Sequence, residues 1–349
     1  MKPGFGSDNH SATHPLILES IIKAQIGHAP SYGTDEYSTE AVQIFREKFG
    51  PKTEVFFVFN GTSANVLSLK CLTKSYHSIL CSDVSHLNVD ECASPEVIGN
   101  CKLWALSTSD GKLKLDQLKN SLIRRGDQHF SQMKVVSITQ PTEYGTVYSV
   151  DEIRQIVDWA HSEGLKVHVD GARLCNAAVR LNVSLKELIT DSKIDAVSFG
   201  GTKNGFLFGE AVLVFDPDLR EDLKYYRKQM GQLPSKTRMI AAQFTAYLKN
   251  NLWKEIASHS LQMARLLSEN TATIPGVKIT QKTESNVVFA IIPKNWVKQL
   301  RDEHFFYVWD EKTNECRWMT SWDTQPDDVM NFVKKLKELS GEISTRELS

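Results

Sequence analysis

The stretch LKVHVDGARLCNAAVRLNVSLKELITDSKIDAVSFGGTKNG, Leu165 to Gly205, decides the fold. It opens on a short apolar run ending in Asp170. It closes on a second such run, Ile194 to Phe199, which leads into a glycine-rich loop carrying Lys203. Short β-branched runs of this kind read as buried strands. Asp170 and Lys203 are 33 residues apart, room for one helical crossover. They should therefore end neighbouring or near-neighbouring strands and face one pocket.

Working outward, further strand candidates are EVFFVF (54–59), SILCSD (78–83), KLWAL (102–106), KVVSIT (134–139) and EAVLVF (210–215). Helix-like segments lie between several of them. In SVDEIRQIVDWAHSEG (149–164), Ser149 is a candidate N-cap, Glu152 completes a capping box and Gly164 sits at C′. Strands alternating with helices predict an α/β fold with a buried, mostly parallel sheet. From about residue 236 the pattern changes. A long helical stretch (236–269) leads into a short α+β tail, with strands near 285–291 and 316–320 and a closing helix at 326–340. The expected division is a large domain over 1–250, including the N-terminal segment, and a small C-terminal domain over 251–349.

The chain has 349 residues, is 41% hydrophobic and carries a formal charge of −1. It can bury a substantial core, and nothing in its charge draws it to nucleic acid or an anionic membrane. Its start, MKPGFGSDNHSATHP, has no apolar signal core, and no apolar run is long enough to span a bilayer. Cys71, Cys81, Cys92, Cys101, Cys175 and Cys316 form no C-x-x-C pair, so reduced thiols in a cytoplasmic protein are expected.

In open parallel sheets, ligands bind at the carboxyl ends of the strands. The residues just past the strand candidates are Asn60-Gly61-Thr62-Ser63, Asp83 with His86, Thr142-Glu143, Asp170-Gly171-Ala172-Arg173 and Gly200-Gly201-Thr202-Lys203. Gly61, Thr62 and Ser63 open a helix whose N–H groups and hydroxyls can hold a phosphate, although a plain capped helix start looks the same. There is no G-x-x-x-x-G-K-[ST] or G-x-G-x-x-G pattern, so no nucleotide loop is indicated. A carboxylate at a buried strand end needs a positive partner, and a pyridinium nitrogen would serve Asp170, as would the N-terminus of an ordinary helix. A lysine among apolar walls and cationic neighbours has a lowered pKa and becomes a Schiff-base nucleophile. A solvated loop lysine is the plain alternative, and the spacing to Asp170 counts against it. His86 can stack on a ring, act as a base, or be a satisfied loop histidine. His10 and His14 are four apart but have no third ligand, so no metal is expected.

Taken together, Ser7-Asp8, Tyr32-Gly33-Thr34-Asp35, Asn60 to Asn65, His86, Val169 to Arg173, the Lys203 loop, Arg227-Lys228 and Arg317 in Cys-Arg-Trp-Met-Thr follow an order that resembles the threonine aldolase family. These are pyridoxal 5'-phosphate (PLP) enzymes of the aminotransferase-like fold type I. The loop Phe-Gly-Gly-Thr-Lys-Asn-Gly resembles a bacterial subgroup that includes phenylserine-type aldolases. The resemblance implies that Lys203 carries PLP as a Schiff base, Asp170 pairs with the pyridinium nitrogen, His86 stacks on the ring, and Gly61, Thr62 and Ser63 hold the phosphate. It further implies that Arg317, with Ser7 and Arg173, binds the substrate carboxylate, Arg173 also bordering the cofactor, and that Tyr32 lies near the site. Arg227 and Lys228 would reach a neighbouring subunit's cofactor, which makes the protein a homodimer or homotetramer with shared active sites. Two positions depart from the family. Glu143 stands where many members have a second histidine, and Asp90 where many have an aromatic four residues after the stacking histidine. Both touch the side-chain pocket and leave the preferred amino acid and its Cβ stereochemistry open.

The reading is cleavage of an L-β-hydroxy-α-amino acid of the threonine, allo-threonine or phenylserine type to glycine and an aldehyde. Glu143 and His86 share the β-hydroxyl proton in this reading, with Asp90 orienting the imidazole. The rivals are β-elimination or transamination on the same fold, or a non-catalytic PLP-binding protein.

Overall fold

The computed structural model describes residues 4–216 and 218–341. Seven strands build the large sheet: β1 (Glu54–Val58), β2 (His77–Ser82), β3 (Lys102–Leu106), β4 (Gln132–Thr139), β5 (Lys166–Gly171), β6 (Ala196–Phe199) and β7 (Glu210–Val214). All seven lie within two residues of the apolar runs that predict them. Their order is β1-β7-β6-β5-β4-β2-β3. β2 to β6 run parallel, and β7 is antiparallel to both β6 and β1. The mostly parallel α/β sheet expected from the sequence is thus present.

Alternate side chains along these strands enter different cores. Phe57, Leu80, Val136, Val197 and Leu213 point into one; Phe56, Ile79, Val135, Ala196 and Val212 point into the other. A sheet covered on both faces explains why its strands read as unbroken apolar runs. On one face the rings of Phe45, Phe57, Phe199, Phe206 and Phe244 pack with centroids 4.7–6.2 Å apart. The helix Val150–Ser162 has the expected capping box between Ser149 and Glu152, and Gly164 follows it with φ +72°.

The expected long helix over 236–269 is two helices, Arg238–Leu248 and Leu252–Thr271. Asn250 and Asn251 between them adopt left-handed φ of 56° and 62°. Asparagine tolerates that region, and two in succession end one helix and start another. The second helix joins two cores. Its first half (Leu252, Trp253, Ile256) packs on the large sheet, and its second half (Met263, Ala264, Leu267) packs under the small one.

The small sheet has order β10-β11-β9-β8, with β8 (Lys278–Ile279), β9 (Val287–Ile291), β10 (Tyr307–Asp310) and β11 (Glu315–Met319). The helix Pro326–Ser340 closes it, as expected. Phe5 is buried in this second core. Its N–H bonds Phe305 O at 2.7 Å, and its carbonyl accepts from the Met319 N–H at 2.8 Å. That anchorage lays Gly6, Ser7 and Asp8 across the junction of the two sheets. Among the described residues no helix is long and apolar enough to cross a membrane. All six cysteines are free.

Candidate active site

β5 and β6 are parallel neighbours, with Asp170 opposite Ser198, so Asp170 and the loop after β6 open at the same sheet edge. Lys203 lies in the short 3-10 turn Thr202–Asn204. The loop can be this close only because Gly200 has no side chain: a Cβ there would sit 2.1 Å from the Ala172 carbonyl oxygen. Asn204 clamps the loop by donating to Ala172 O and Gly200 O, each at 3.1 Å. Glu210, at the head of β7, accepts from the Gly201 N–H at 2.6 Å. Burial, and then the Arg173 charge, hold the Lys203 amine below its ordinary pKa, against the opposing pull of Asp8, Asp170 and Glu210. Burial likewise raises Glu210 to about 7.

Asp170 is 5% exposed. Burial pushes its carboxyl up, but the His86 and Lys203 charges and the hydrogen bonds from Asn65 Nδ2 (2.8 Å) and the Ala172 N–H (3.0 Å) outweigh it, and the pKa lies below the ordinary value. Beneath it on β5, His168 sits between the hydroxyls of Ser137 and Ser198 and is held neutral, burial lowering its pKa to about 4. His86 begins the helix His86–Val89. Its Nδ1 meets Glu91 Oε1 at 2.9 Å. That bond, with the Asp170 charge, raises the imidazole pKa against burial.

The sequence assigns the orienting role to Asp90, and the structure corrects this. The helix stops at Val89, Asp90 is exposed, and the buried Glu91 takes the imidazole instead. Glu143 stands behind His86. Its Oε1 accepts from the His86 N–H at 2.9 Å and from the Thr139 hydroxyl at 2.8 Å, while its Oε2 is buried without a partner.

The helix Gly61–Leu72 starts at the same edge, with Asn60 Oδ1 taking the Ser63 N–H at 2.9 Å. That leaves the amides of Gly61 and Thr62 facing the cavity, and a Cβ on Gly61 would touch nothing within 4 Å. The cavity, about 380 Å³, is lined by Gly61, Thr62, His86, Asp170, Lys203 and Glu210, among others.

Toward the small sheet the sequence-read residues diverge. The Arg173 fork is taken by Asp8, through Nε to Oδ2 and Nη2 to Oδ1, the latter at 2.8 Å. Asp8 also accepts from Asn286 Nδ2 at 3.1 Å. Arg317 has a freer guanidinium. Nη2 donates to Gly6 O at 3.1 Å, Nε is buried without a partner, and the group lies over the rings of Trp309 (5.1 Å) and Tyr307 (5.5 Å). Ser7 caps the turn Asp8–His10, its hydroxyl accepting the Asn9 N–H at 3.2 Å. Tyr32 and Lys228 lie outside the cavity, packed on each other with the ammonium 5.4 Å from the ring centroid; Tyr32 is 51% exposed. Arg227 covers the Phe56 ring and donates to Phe57 O at 3.4 Å, and its Nε is also buried without a partner.

Asn65, Glu91, Glu210, Asp8 and Asn286 complete the site without having been assigned roles from the sequence. A charged residue opening an otherwise apolar strand is the one signal that marks Glu210. Glu91 lies in a segment with no periodicity, and nothing in its spacing separates it from Asp90.

A half-buried lysine and a buried carboxylate at adjacent strand ends, beside a helix N-terminus on this sheet, define an enzyme of fold type I, the class built around PLP chemistry. Residues 4–293 match the family model described as beta-eliminating lyase. The low-specificity L-threonine aldolase of Pseudomonas aeruginosa is 39% identical over 97% of this chain and 98% of its own. A protein of Cochliobolus carbonum named as an alanine racemase is 29% identical over 82% of this chain and 74% of its own. Among solved structures, the Leishmania major threonine aldolase superposes with a TM-score of 0.92 at 27% identity, covering 97% of this chain and 99% of that one. The chain belongs to the beta-eliminating lyase family, among its threonine aldolases.

The Glu143 carboxyl gives a pH prediction. Burial raises it from 4.5 to about 7, with the Asp170 charge adding to the rise and the His86 N–H and Thr139 opposing it. Between those values the folded protein keeps a proton that the unfolded chain has released, so Glu143 subtracts stability as pH rises through the window. Glu143→Gln has no proton to lose. Relative to wild type, its unfolding free energy should improve from pH 5 to pH 8 by on the order of 3 kcal/mol. Denaturant melts at the two pH values measure this, and an unchanged difference would show that Glu143 ionises freely.

Proposed function

We propose that this chain is a PLP-dependent aldolase that cleaves L-β-hydroxy-α-amino acids to glycine and an aldehyde. The observation that carries the reading is Asp170 and Lys203 at adjacent strand ends in one cavity, with a half-free guanidinium, Arg317, that feels the same Arg173 and Asp8 charges as Lys203 does. The similarity to proteins named low-specificity L-threonine aldolases supports it.

The cavity suits the cofactor. Its floor carries an ionised carboxylate, its wall an amine whose pKa burial holds below the ordinary lysine value, and its rim an open helix N-terminus. When bound, PLP supplies an imine link for the amino group and an electron sink for the charge left on Cα. Lys203 would hold it, and Asp170 would face the ring nitrogen. The amides of Gly61 and Thr62, with the Ser63 and Thr202 hydroxyls, would take the phosphate.

Arg317 has donors to spare for the substrate carboxylate. The fork of Arg173 is engaged by Asp8, so Arg173 contributes charge rather than a second fork. His86 accepts the β-hydroxyl proton at Nε2 as the Cα–Cβ bond breaks, because this imidazole lines the cavity. Glu143 supports it from behind: one oxygen holds the His86 backbone and the other is sealed from the cavity.

A second copy of the chain completes this reading. Tyr32 and Lys228 form an exposed pair, and helix Pro15–Ala24 exposes Leu16, Leu18 and Ile22, with Ile26 just beyond it. An apolar face of that kind marks an association surface. The protein should elute as a dimer or tetramer under light scattering, and a fully active monomer contradicts the shared site.

Incubation with threonine, allo-threonine and phenylserine should release glycine and the matching aldehyde. A keto acid, ammonia or a racemised amino acid instead would assign the chain another reaction of its fold. Lys203→Ala should lose the visible cofactor band and at least about 10³-fold in turnover. A borohydride-reducible adduct on another lysine would move the cofactor elsewhere. Arg317→Lys should lower kcat/KM by roughly 10–100-fold, since an ammonium cannot form the planar fork. Unchanged amino-acid affinity in that variant would place the carboxylate on another cation.

A further inference from the structure

Glu91 has no part in the chemistry above, yet it is 2% exposed and bonded to two groups of the site. Its Oε1 accepts from Asn65 Nδ2 at 2.7 Å and faces His86 Nδ1 at 2.9 Å. The same Asn65 nitrogen donates to Asp170 Oδ2 at 2.8 Å. An ionised carboxylate only accepts hydrogen bonds, so the amide must turn its NH₂ toward both acids. The cost is visible: Asn65 Oδ1 is buried with no partner, as is Glu91 Oε2. A chain of three hydrogen bonds therefore runs from His86 through Glu91 and Asn65 to Asp170. Nε2 of His86 has no partner among the described residues, and His86 lines the cavity.

We propose that Glu91 is a positioning residue for His86. It fixes the hydrogen on Nδ1, turns the lone pair of Nε2 to the substrate, and ties the imidazole to the carboxylate that serves the cofactor ring. The inference rests on the aldolase reading for the proton that Nε2 accepts. A carboxylate behind a histidine sets its tautomer and stabilises the imidazolium that forms when it takes a proton. Glu91 stands in that relation to His86. The other charges facing the ring are Asp170 from β5 and Lys203 after β6. Glu143, after β4, meets only the His86 backbone, and Asp83, ahead of it, is turned to Thr108.

The test is Glu91→Gln and Glu91→Asp in the cofactor-loaded enzyme, followed by the kcat pH profile and by visible circular dichroism of the cofactor band. Glu91→Gln should keep its cofactor, lose about 10–100-fold in kcat, and change the dichroic band as the ring beside the cofactor loosens. The acid limb of the profile should move down by about one pH unit, because a neutral neighbour no longer stabilises the protonated ring. Glu91→Asp keeps the charge, so its limb should stay at the wild-type pH while the rate recovers in part. Against a His86→Phe background, Glu91→Gln should cost less than about 2-fold, since a residue that acts through another is silent once that other is gone. Wild-type kcat and limb in Glu91→Gln overturn the proposal. So do equal losses in both variants with an unmoved limb, or a full loss that persists in the His86→Phe background. If the Gln variant does not fold, the limb position of Glu91→Asp decides. Failure of the aldolase reading shows separately, as wild-type enzyme that releases no aldehyde, while the dichroic comparison still reports on Glu91.

Discussion

The site is organised around a carboxylate that bulk water barely reaches. Asp170 ends β5 at 5% exposure, and an ionised group there must be matched by charge and hydrogen bonds or give up its proton. The sheet supplies the match by geometry. Parallel strands end side by side, so the loop after β6 brings Lys203 to the acid left by β5. The helix Gly61–Leu72 then lends Asn65, and the Ala172 N–H turns back to the same carboxylate. The absence of a side chain at Gly200 lets the two loops touch, because any Cβ would strike the Ala172 carbonyl.

A second ion pair, the buried Asp8 with the half-buried Arg173, joins the two sheets. Arg173 follows β5, Asp8 lies on the N-terminal segment, and Asn286 reaches Asp8 from just before β9. Buried ion pairs are weak evidence of net stability, because desolvation offsets much of their attraction. Their value here is registry. Arg173 can satisfy its fork only when the N-terminal segment and both sheets are in place, and that same arrangement sets Arg317 of β11 beside Gly6. In the proposed reaction, substrate carboxylate and cofactor ring would thus be served from different sheets held at one junction.

The large sheet was legible because both its faces are buried: each strand is an apolar run with a polar end, and polar ends are easy to find. Asp170, Lys203, His86 and Gly61 all follow from asking what lies just past a run. The capping box at Ser149 was legible for the same local reason. What escaped depends on distance in the chain. Glu91 and Asp90 are neighbours with the same charge, and only the fold shows which one turns inward. The engagement of Arg173 by Asp8 spans 165 residues and has no local trace. The break between the two long helices rests on Asn250 and Asn251, whose left-handed backbone is permitted by their residue type but not required by it.

Phe5 and Gly6 are held by residues of the small sheet and of the loop before β10. Phe5 bonds to Phe305 and Met319, and the Arg317 bond to Gly6 closes over 311 positions. Synthesis is vectorial, and domains fold as their residues emerge. The β1–β7 sheet, with Asp170 and Lys203 at its edge, is complete once Val214 has been made. At that stage the N-terminal strap still lacks Phe305, Arg317 and Met319, and Asp8 lacks Asn286. Asp170 and Lys203 therefore precede Arg317 in synthesis, and Gly6 gains that partner only after β11 has been made.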